Sequence, residues 1–285
     1  MALSSIDLRK ERDETMMRVV LLTLFLLLLC GQAAGQSVQP TKIRVRGVEL
    51  HYIAAIKVMT TRAIATVLDK TGAEFERTTG HKLNVTTDIA IRMVRQIQSG
   101  ESFDVLVASP EQIDTLIKEG KIIAATRTNL ARSGIGVEVR AGAPKPDISS
   151  VEALKRALLN AKSIAYLKEG QSGIYLAALI ARLGLTETLK SKVVRPDSDT
   201  VSELVAKGEV ELGLVVITQI LTTHGVELVG PLPQELQSYI VFAAGVSTNS
   251  RAPAAAKDLI KFLTSPRVIR VMRRQGMEPW SDVSR

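Results

Sequence analysis

Short apolar runs alternate with segments of helical periodicity along most of this 285-residue chain. The first helical segment, residues 64–76, places Ile64, Val67, Leu68 and Phe75 on one side and charged residues on the other. Alternation of this kind, repeated without hairpin signals, predicts an α/β fold with a mainly parallel sheet. The apolar runs that we predict to be strands are residues 51–59, 82–86, 103–108, 162–167 and 211–216.

The stretch at residues 168–185 reads as a strand end, a loop of small residues and a helix that starts near Ile174. Such a helix start leaves backbone N–H groups without acceptors and favours a bound anion. We therefore take Ser172 and Gly173 as candidate ligand-binding residues. The structural alternative is an ordinary connection between a strand and a helix, since glycine loops before helices are common.

Other predicted strands also run into loops that precede helices. In α/β sheets ligands bind outside the carboxyl ends of the strands, so these loops are expected to form one site. Their candidate ligand-binding residues are Thr60, Thr61, Arg62, Ala63, Thr87, Asp88, Ala90 and Ser198. The structural alternative is that the threonines and Ser198 only cap helices.

Residues 1–35 have the features of a signal peptide. The apolar run at residues 19–29 is too short to span a bilayer, and Ala33 and Gly35 suit signal peptidase cleavage before Gln36. We predict export to the periplasm, with the true start at Met1, Met16 or Met17 left open. Cys30, the single cysteine, follows three leucines, so a lipid anchor is not expected there.

The rest of the chain carries the whole net charge of +8. A positive balance suits an anionic ligand, and nucleic acid is not an expected partner because basic residues are scattered and only 4% of residues are aromatic. The three histidines, His51, His81 and His224, lack metal-ligand spacing. Motifs for a nucleophile elbow, a dinucleotide or a phosphate-binding loop are incomplete or missing. We expect neither a metal nor a cofactor.

Two extended segments, residues 134–139 and 238–244, bracket the middle of the chain. They suggest two crossings between lobes. We predict an N-terminal arm at residues 36–50, a first lobe made of residues 51–137 and 241–285, and a second lobe made of residues 138–240.

Five segments resemble the periplasmic solute-binding proteins of ABC transporters, in the group similar to the molybdate-binding proteins. These are residues 56–68, 94–109, 172–179, 204–216 and 257–279. The resemblance implies a type 2 periplasmic binding protein fold, in which two parallel or mixed sheets flanked by helices enclose a ligand cleft and a two-strand hinge joins the lobes. It also implies a monomer that passes a small anion to an ABC transporter permease.

The molybdate binders hold the oxyanion with two serines, two backbone N–H groups and a tyrosine. Carried over onto this chain, the serine positions fall at Ala63 and Ala90, the backbone donors at Ser172 and Ser198, and the tyrosine at Val216. Three hydroxyls are thus missing, and each lost hydrogen bond to an anion costs about 1.5–3 kcal/mol. The resemblance therefore predicts a ligand other than tightly bound molybdate.

Arg62 beside Thr60 and Thr61 offers a clamp suited to a carboxylate or phosphate. The alternative is a structural ion pair of Arg62 with Asp88 or Glu101. If Arg62 acts as a clamp, we expect the ligand to be an organic acid or a larger oxyanion.

Three functions follow. The leading one is a binding protein of an ABC transporter. The second is a periplasmic isomerase of a tricarboxylic acid, similar to aconitate isomerases, with Asp88 as the candidate acid or base. The third, a ligand-sensing domain of a transcription regulator, is disfavoured because a signal peptide stands where a DNA-binding domain should be.

Overall fold

The computed structural model describes residues 53–283 and the backbone of residues 43–45 and 48–50. These residues belong to two compact units, Met1–Tyr52 and Ile53–Arg285. In the first unit, β1 (Ile43–Val45) and β2 (Val48–Leu50) pair antiparallel, a hairpin that the sequence had not indicated within the predicted arm. The predicted signal peptide, Cys30 and His51 lie outside the described residues.

The second unit alternates strands and helices. Its strands are β3 (Ala55–Thr60), β4 (Lys82–Thr87), β5 (Val105–Ala108), β6 (Thr128–Arg140), β7 (Ile164–Ala165), β8 (Val193–Val194), β9 (Leu212–Val216), β10 (Val226–Pro231), β11 (Tyr239–Val246) and β12 (Glu278–Pro279). Its helices are α1 (Arg62–Thr79), α2 (Ala90–Gln98), α3 (Pro110–Lys118), α4 (Val151–Asn160), α5 (Gln171–Arg182), α6 (Thr186–Leu189), α7 (Val201–Lys207), α8 (Ile217–Thr222), α9 (Pro253–Leu263), α10 (Pro266–Arg274) and α11 (Trp280–Val283). Within these ranges, no helix combines the length and apolar character needed to cross a membrane.

The sheet is mixed, so the expectation of a mainly parallel sheet was wrong, whereas the α/β class and the alternative of mixed sheets are confirmed. The hydrogen-bonded order is β4-β3-β5-β11-β6-β9-β7-β8, and β10 and β12 also pair with β6. Neighbouring strands pair in parallel within the two outer groups of this order, β4-β3-β5 and β9-β7-β8. β6 and β11 run antiparallel to the strands that they pair with.

β6 takes part in both halves of this sheet. Its residues up to Gly134 pair with β11, and from Ile135 onwards they pair with β9 and β10. The returning chain lies beside the same point, where the amide of Gln237 bonds both the N–H and the carbonyl of Ile135 (2.9 and 3.0 Å). The chain therefore crosses twice between an α/β half built on β3 and one built on β9, which we call the first and second lobes.

Each lobe has its own apolar core. Ile64, Val67 and Phe75 of α1 pack with Val105, Val107 and the last helices in the first lobe. Leu154, Leu176 and Leu212 pack together in the second. The exact limits that we predicted for the lobes and for the arm stay predictions.

Several helices and strands differ from their predicted limits, and one strand was not predicted. The predicted strand at 162–167 has only two ladder residues, α5 begins at Gln171 instead of near Ile174, and β10 was not predicted. Apolar and polar residues alternate only weakly in β10, and the strand pairs with β6 across a register shift. Local periodicity therefore could not reveal it.

Candidate functional site

A cavity of about 90 Å³ lies between the two lobes, against the carboxyl ends of the strands. Helix starts from both lobes meet at it, together with the beginning of β11. The residues that line it are Thr61, Arg62, Ala63, Asp88, Ile89, Ala90, Ile91, Ala108, Ser109, Gln112, Leu167, Gly170, Gln171, Ser172, Asp199, Val216, Gln219, Ile240, Val241 and Phe242.

Three helices of nine or more residues start at this cavity without a side-chain cap. The residues before α1, α2 and α5 are Thr61, Ile89 and Gly170, and none of their side chains accepts a hydrogen bond from its helix. The first N–H groups of a helix have no acceptor within it, and they carry the positive end of the helix dipole. Three such ends facing one cavity favour an anion there.

The start of α3 is different because it is capped. The Ser109 hydroxyl accepts from the N–H of Gln112 (3.3 Å), and the Gln112 side chain accepts from the N–H of Ser109 (3.1 Å). These two polar side chains line the cavity but already satisfy each other's backbone. The cap leaves α1, α2 and α5 as the principal sources of free N–H groups.

Thr61 contributes a hydroxyl that nothing else uses. Its Oγ1 is buried and has no hydrogen-bond partner among the described residues. A buried polar atom without a partner is unfavourable unless something completes its hydrogen bonds. A ligand in the cavity is within reach to do so, because Thr61 lines it.

Arg62 reaches across the cleft from the first lobe to the second. Its Nη1 lies 2.7 Å from Glu203 Oε1, and its Nε lies 3.6 Å from Asp199 Oδ2. The predicted structural alternative named the wrong partners. Glu101 pairs with Lys57, and Asp88 accepts from the N–H of Ile89 (2.7 Å).

Two more arginines of α2 link the lobes outside the cavity. Arg95 Nη1 lies 3.7 Å from Glu169 Oε2, and Arg92 donates to the carbonyl of Asp197. Ile89, from the first lobe, packs within the apolar cluster that contains Leu167. The two lobes are thus in contact around the cavity.

Asp199 places a carboxyl group in the cavity wall. Its Oδ1 accepts from Gln219 Nε2 (2.8 Å). Burial raises the pKa of Asp199; the Gln219 hydrogen bond and the Arg62 charge oppose this rise, and Glu203 and Asp88 add to it. The site therefore holds an acidic group that takes up a proton more readily than an exposed aspartate.

The structure brings six of the predicted site residues to this cavity: Thr61, Arg62, Ala63, Asp88, Ala90 and Ser172. The Thr60 side chain is fully buried beneath it. Gly173 packs against the backbone of Leu167, where an added Cβ would lie 2.2 Å from the carbonyl oxygen. Ligand binding by any of these residues stays a prediction.

Thr87 and Ser198 line a second, outer cavity of about 540 Å³. Arg62, Asp88 and Asp199 line both cavities, so these three side chains stand between them. The resemblance placed a backbone donor at Ser198, but in the structure the residue of this loop that lines the inner cavity is Asp199.

Sequence reasoning missed Asp199, Gln219 and Glu203 as site residues. Asp199 follows Ser198, a predicted ligand-binding residue for which a helix cap was the alternative, and in the structure the residue before α7 makes no side-chain cap. Asp199 and Arg62 are 137 positions apart in sequence and come close only because the lobes pack together. The one signal in the sequence was that this loop contains two aspartates, Asp197 and Asp199.

A mixed sheet shared by two lobes, with helix starts from both facing one cavity, defines a two-lobed solute-binding protein. The chain belongs to the bacterial extracellular solute-binding protein family, which it matches over residues 56–278. This confirms the resemblance to periplasmic binding proteins. The family implies a location outside the cytoplasmic membrane and a solute as ligand.

Three relatives illustrate the match. The chain is 27% identical over 233 residues to the aconitate isomerase of a Pseudomonas species, which covers 80% of this chain and 88% of that one. It is 30% identical over 211 residues to the molybdate-binding protein ModA of Azotobacter vinelandii, with 72% and 82% covered. The solved periplasmic molybdate-binding protein of Azotobacter vinelandii superposes with a TM-score of 0.66 at 19% identity, over 79% of this chain and 98% of that one.

Proposed function

We propose that this protein captures a small anion in the cavity between its lobes and delivers it to an ABC transporter permease. The observation that carries the proposal is the meeting of three uncapped helix starts, those of α1, α2 and α5, at one cavity. Helix N-termini are anion sites because their N–H groups and dipoles both favour negative charge. The family match supports the same class of function.

The size of the cavity supports a small ligand. Pockets for drug-sized molecules measure about 300–1,000 Å³, whereas this cavity has a volume of about 90 Å³. Apolar side chains, among them Ile89, Leu167 and Phe242, form much of its wall. A small organic acid suits these walls better than an inorganic oxyanion, which has no apolar surface to bury.

The absence of the serine and tyrosine hydroxyls of the molybdate binders also supports an organic ligand. Ala63, Ala90 and Val216, which stand at the serine and tyrosine positions of the molybdate binders, all line the cavity and offer no side-chain donor. The free hydroxyl of Thr61 offsets one of these losses. We therefore propose a ligand that differs from molybdate.

Closure is the step that links binding to transport. Arg62 of the first lobe already contacts Glu203 and Asp199 of the second. A ligand that touches both lobes favours the closed arrangement over the open one by its differential affinity for the two. The closed form is the one that we propose docks on the permease.

The first test uses the chain expressed with its own N-terminal segment and purified in its processed form. Thermal unfolding is measured with molybdate, sulfate, phosphate and small mono-, di- and tricarboxylates. A ligand present at a hundred times its Kd adds about 2.7 kcal/mol of stability. We expect organic acids to raise the Tm; no shift with any anion would contradict the proposed function.

Delivery is tested separately in the producing cells. Deleting the gene should abolish high-affinity uptake of the anion that raises the Tm, and uptake should return with the wild-type gene. Uptake that is unchanged by the deletion would show that binding serves something other than transport.

A second candidate function is isomerisation of a tricarboxylic acid. The aconitate isomerase relative covers most of this chain, and two carboxyl groups that could move a proton, Asp88 and Asp199, line the cavity. The test is incubation with cis- and trans-aconitate, followed by NMR. Interconversion that is lost in Asp88→Asn or Asp199→Asn would favour the enzyme; recovery of unchanged acid would favour the binding protein.

A further inference from the structure

The inner cavity combines donors and an acceptor. The starts of α1, α2 and α5 and the Thr61 hydroxyl can donate to an anion, whereas Asp199 brings a carboxyl group into the same wall. Building on the proposed anion-binding function, we infer that Asp199 makes the cavity select small anions that carry their own O–H group and reject anions that carry none.

Asp199 is held in place by neighbours that leave acceptor sites free. Gln219 Nε2 donates to Oδ1 at 2.8 Å, and Arg62 Nε lies 3.6 Å from Oδ2. A carboxylate offers about four lone-pair positions, so these contacts do not exhaust it. A hydroxyl on the ligand can donate to the remaining positions, but a bare oxyanion edge cannot.

The charges around Asp199 make the discrimination stronger. The groups that face it are Arg62, Glu203, Asp88 and the buried Glu138. The single cation among these is already paired with Glu203 at 2.7 Å. A dianion without a proton therefore meets uncompensated negative charge on this side of the cavity, and like charges at close range repel.

The two ends of the cavity define the class of ligand. A carboxylate fits the N-termini of the helices, a hydroxyl fits Asp199, and a short hydrocarbon segment fits the walls formed by Ile89, Leu167 and Phe242. Small hydroxycarboxylates combine all three features. Hydrogen phosphate shares the O–H group but lacks the hydrocarbon.

The experiment compares matched pairs by calorimetry at pH 8: lactate with propionate, malate with succinate, and phosphate with sulfate. A polar group left unpaired in a site costs at least about 1.4 kcal/mol, which is tenfold in affinity. We expect the member with the O–H group to bind at least about tenfold tighter in each pair that binds. Equal affinities within the pairs would overturn the inference but leave the proposed function standing; no binding by any of the six anions would overturn both.

Asp199→Asn supplies the matched variant, because it replaces an acceptor by an amide that can also donate. The preference should shrink or reverse, with sulfate and succinate gaining and malate losing affinity. Glu169→Gln is the control: it removes the partner of Arg95 across the cleft but leaves Asp199 and the charges around it in place, so the ratio within each pair should not change. A preserved preference in Asp199→Asn would overturn the inference.

A second measurement needs no change at Asp199. Sulfate keeps its charge between pH 8 and pH 5, whereas burial raises the pKa of Asp199 above that of an ordinary aspartate, so a lower pH favours the protonated carboxyl, which can donate a hydrogen bond. Sulfate affinity should therefore rise as the pH falls. The same titration in Glu138→Gln removes the buried neighbour whose pKa is about 7. Sulfate affinity that does not depend on pH in either protein would contradict the inference.

Discussion

At the scale of single residues, Arg62 lies where the two lobes and the cavity meet. It stands at the first position of α1, lines the cavity, and pairs with Glu203 and Asp199 on the other lobe. A side chain in this place can hold the lobes together and can also contact a ligand. The side chains of Arg62 and its nearer partner Glu203 are 37% and 36% exposed, so solvent screens this ion pair and it adds little stability.

We predict that Arg62→Ala weakens binding of the cavity's anion by about tenfold to a hundredfold, because a charged hydrogen bond contributes about 1.5–3 kcal/mol. Its effect on the free energy of unfolding should stay below about 1 kcal/mol. Calorimetry and urea unfolding measure the two. Arg95→Ala is the control, since Arg95 also pairs across the cleft but lies outside the cavity. Equal affinities in the two variants would contradict a ligand contact by Arg62.

A second prediction concerns Gly173, near the start of α5. An added Cβ would lie 2.2 Å from the carbonyl oxygen of Leu167, closer than any real contact. Gly173→Ala should destabilise the protein by about 1–3 kcal/mol, the usual cost of overpacking. It should also weaken anion binding because α5 must move. Ile174→Ala, at a side chain that is 65% exposed, should change stability by less than about 0.5 kcal/mol; a similarly small effect at Gly173 would refute the prediction.

At the scale of helices and strands, capping separates two kinds of helix start. α3 is closed by Ser109 and Gln112, whereas α1, α2 and α5 lack side-chain caps. Helices usually gain stability from a cap. The described helices α6 to α10 also lack side-chain caps, so what distinguishes α1, α2 and α5 among the uncapped helices of nine or more residues is that their starts line one cavity, where a single ligand can complete their hydrogen bonds.

This difference predicts opposite results for two neighbouring hydroxyls. Ser109→Ala should lower the free energy of unfolding by about 1 kcal/mol, the typical loss of an N-cap, with little change in anion affinity. Thr61→Val should weaken anion binding severalfold and leave stability almost unchanged, because its Oγ1 has no partner among the described residues. Unfolding curves and calorimetry on both variants test the pair; equal effects of the two on affinity would remove Thr61 from the site.

At the scale of the whole molecule, β6 ties the two lobes together and carries a buried acid. Glu138 is fully buried on this strand, and the Ser202 hydroxyl of α7 lies 3.0 Å from both of its carboxylate oxygens. Burial raises the pKa of Glu138 to about 7, and the charges of Glu203 and Asp199 add to the rise. The folded protein therefore keeps the proton of Glu138 up to about pH 7, whereas an ordinary glutamate loses it near pH 4.5.

The free energy of unfolding should depend on the protonation of Glu138. The pKa of Glu138 is higher in the folded than in the unfolded chain, so its contribution is fully present below about pH 4.5 and is lost as the pH rises through about 7. The loss amounts to roughly 3 kcal/mol by linkage. Glu138→Gln should therefore be more stable than the wild type at pH 8, and the difference should vanish or reverse by pH 5. Urea unfolding between pH 5 and pH 8 checks this, with the exposed Glu209→Gln as control; parallel profiles of wild type and Glu138→Gln would contradict it.

Periodicity was a good guide to elements and a poor guide to their pairing. The sequence predicted α1 and β9 nearly as they are, because local apolar spacing reflects which face is buried. It did not predict the antiparallel pairing of β6 and β11 or the presence of β10. Strand order and direction depend on contacts between distant parts of the chain, which no local pattern contains.

By itself the sequence determined the α/β class, the two crossings between lobes and most of the helix starts that face the cavity, since apolar spacing and loop chemistry are local properties. Only the tertiary structure decided which polar groups those helix starts meet. It joined Arg62 to Glu203 and Asp199, brought Asp199 to the inner cavity in place of Ser198, and left the Thr61 hydroxyl without a hydrogen-bond partner among the described residues. These contacts cross from one lobe to the other, so their energies depend on how the lobes pack and not on the residues beside them in sequence.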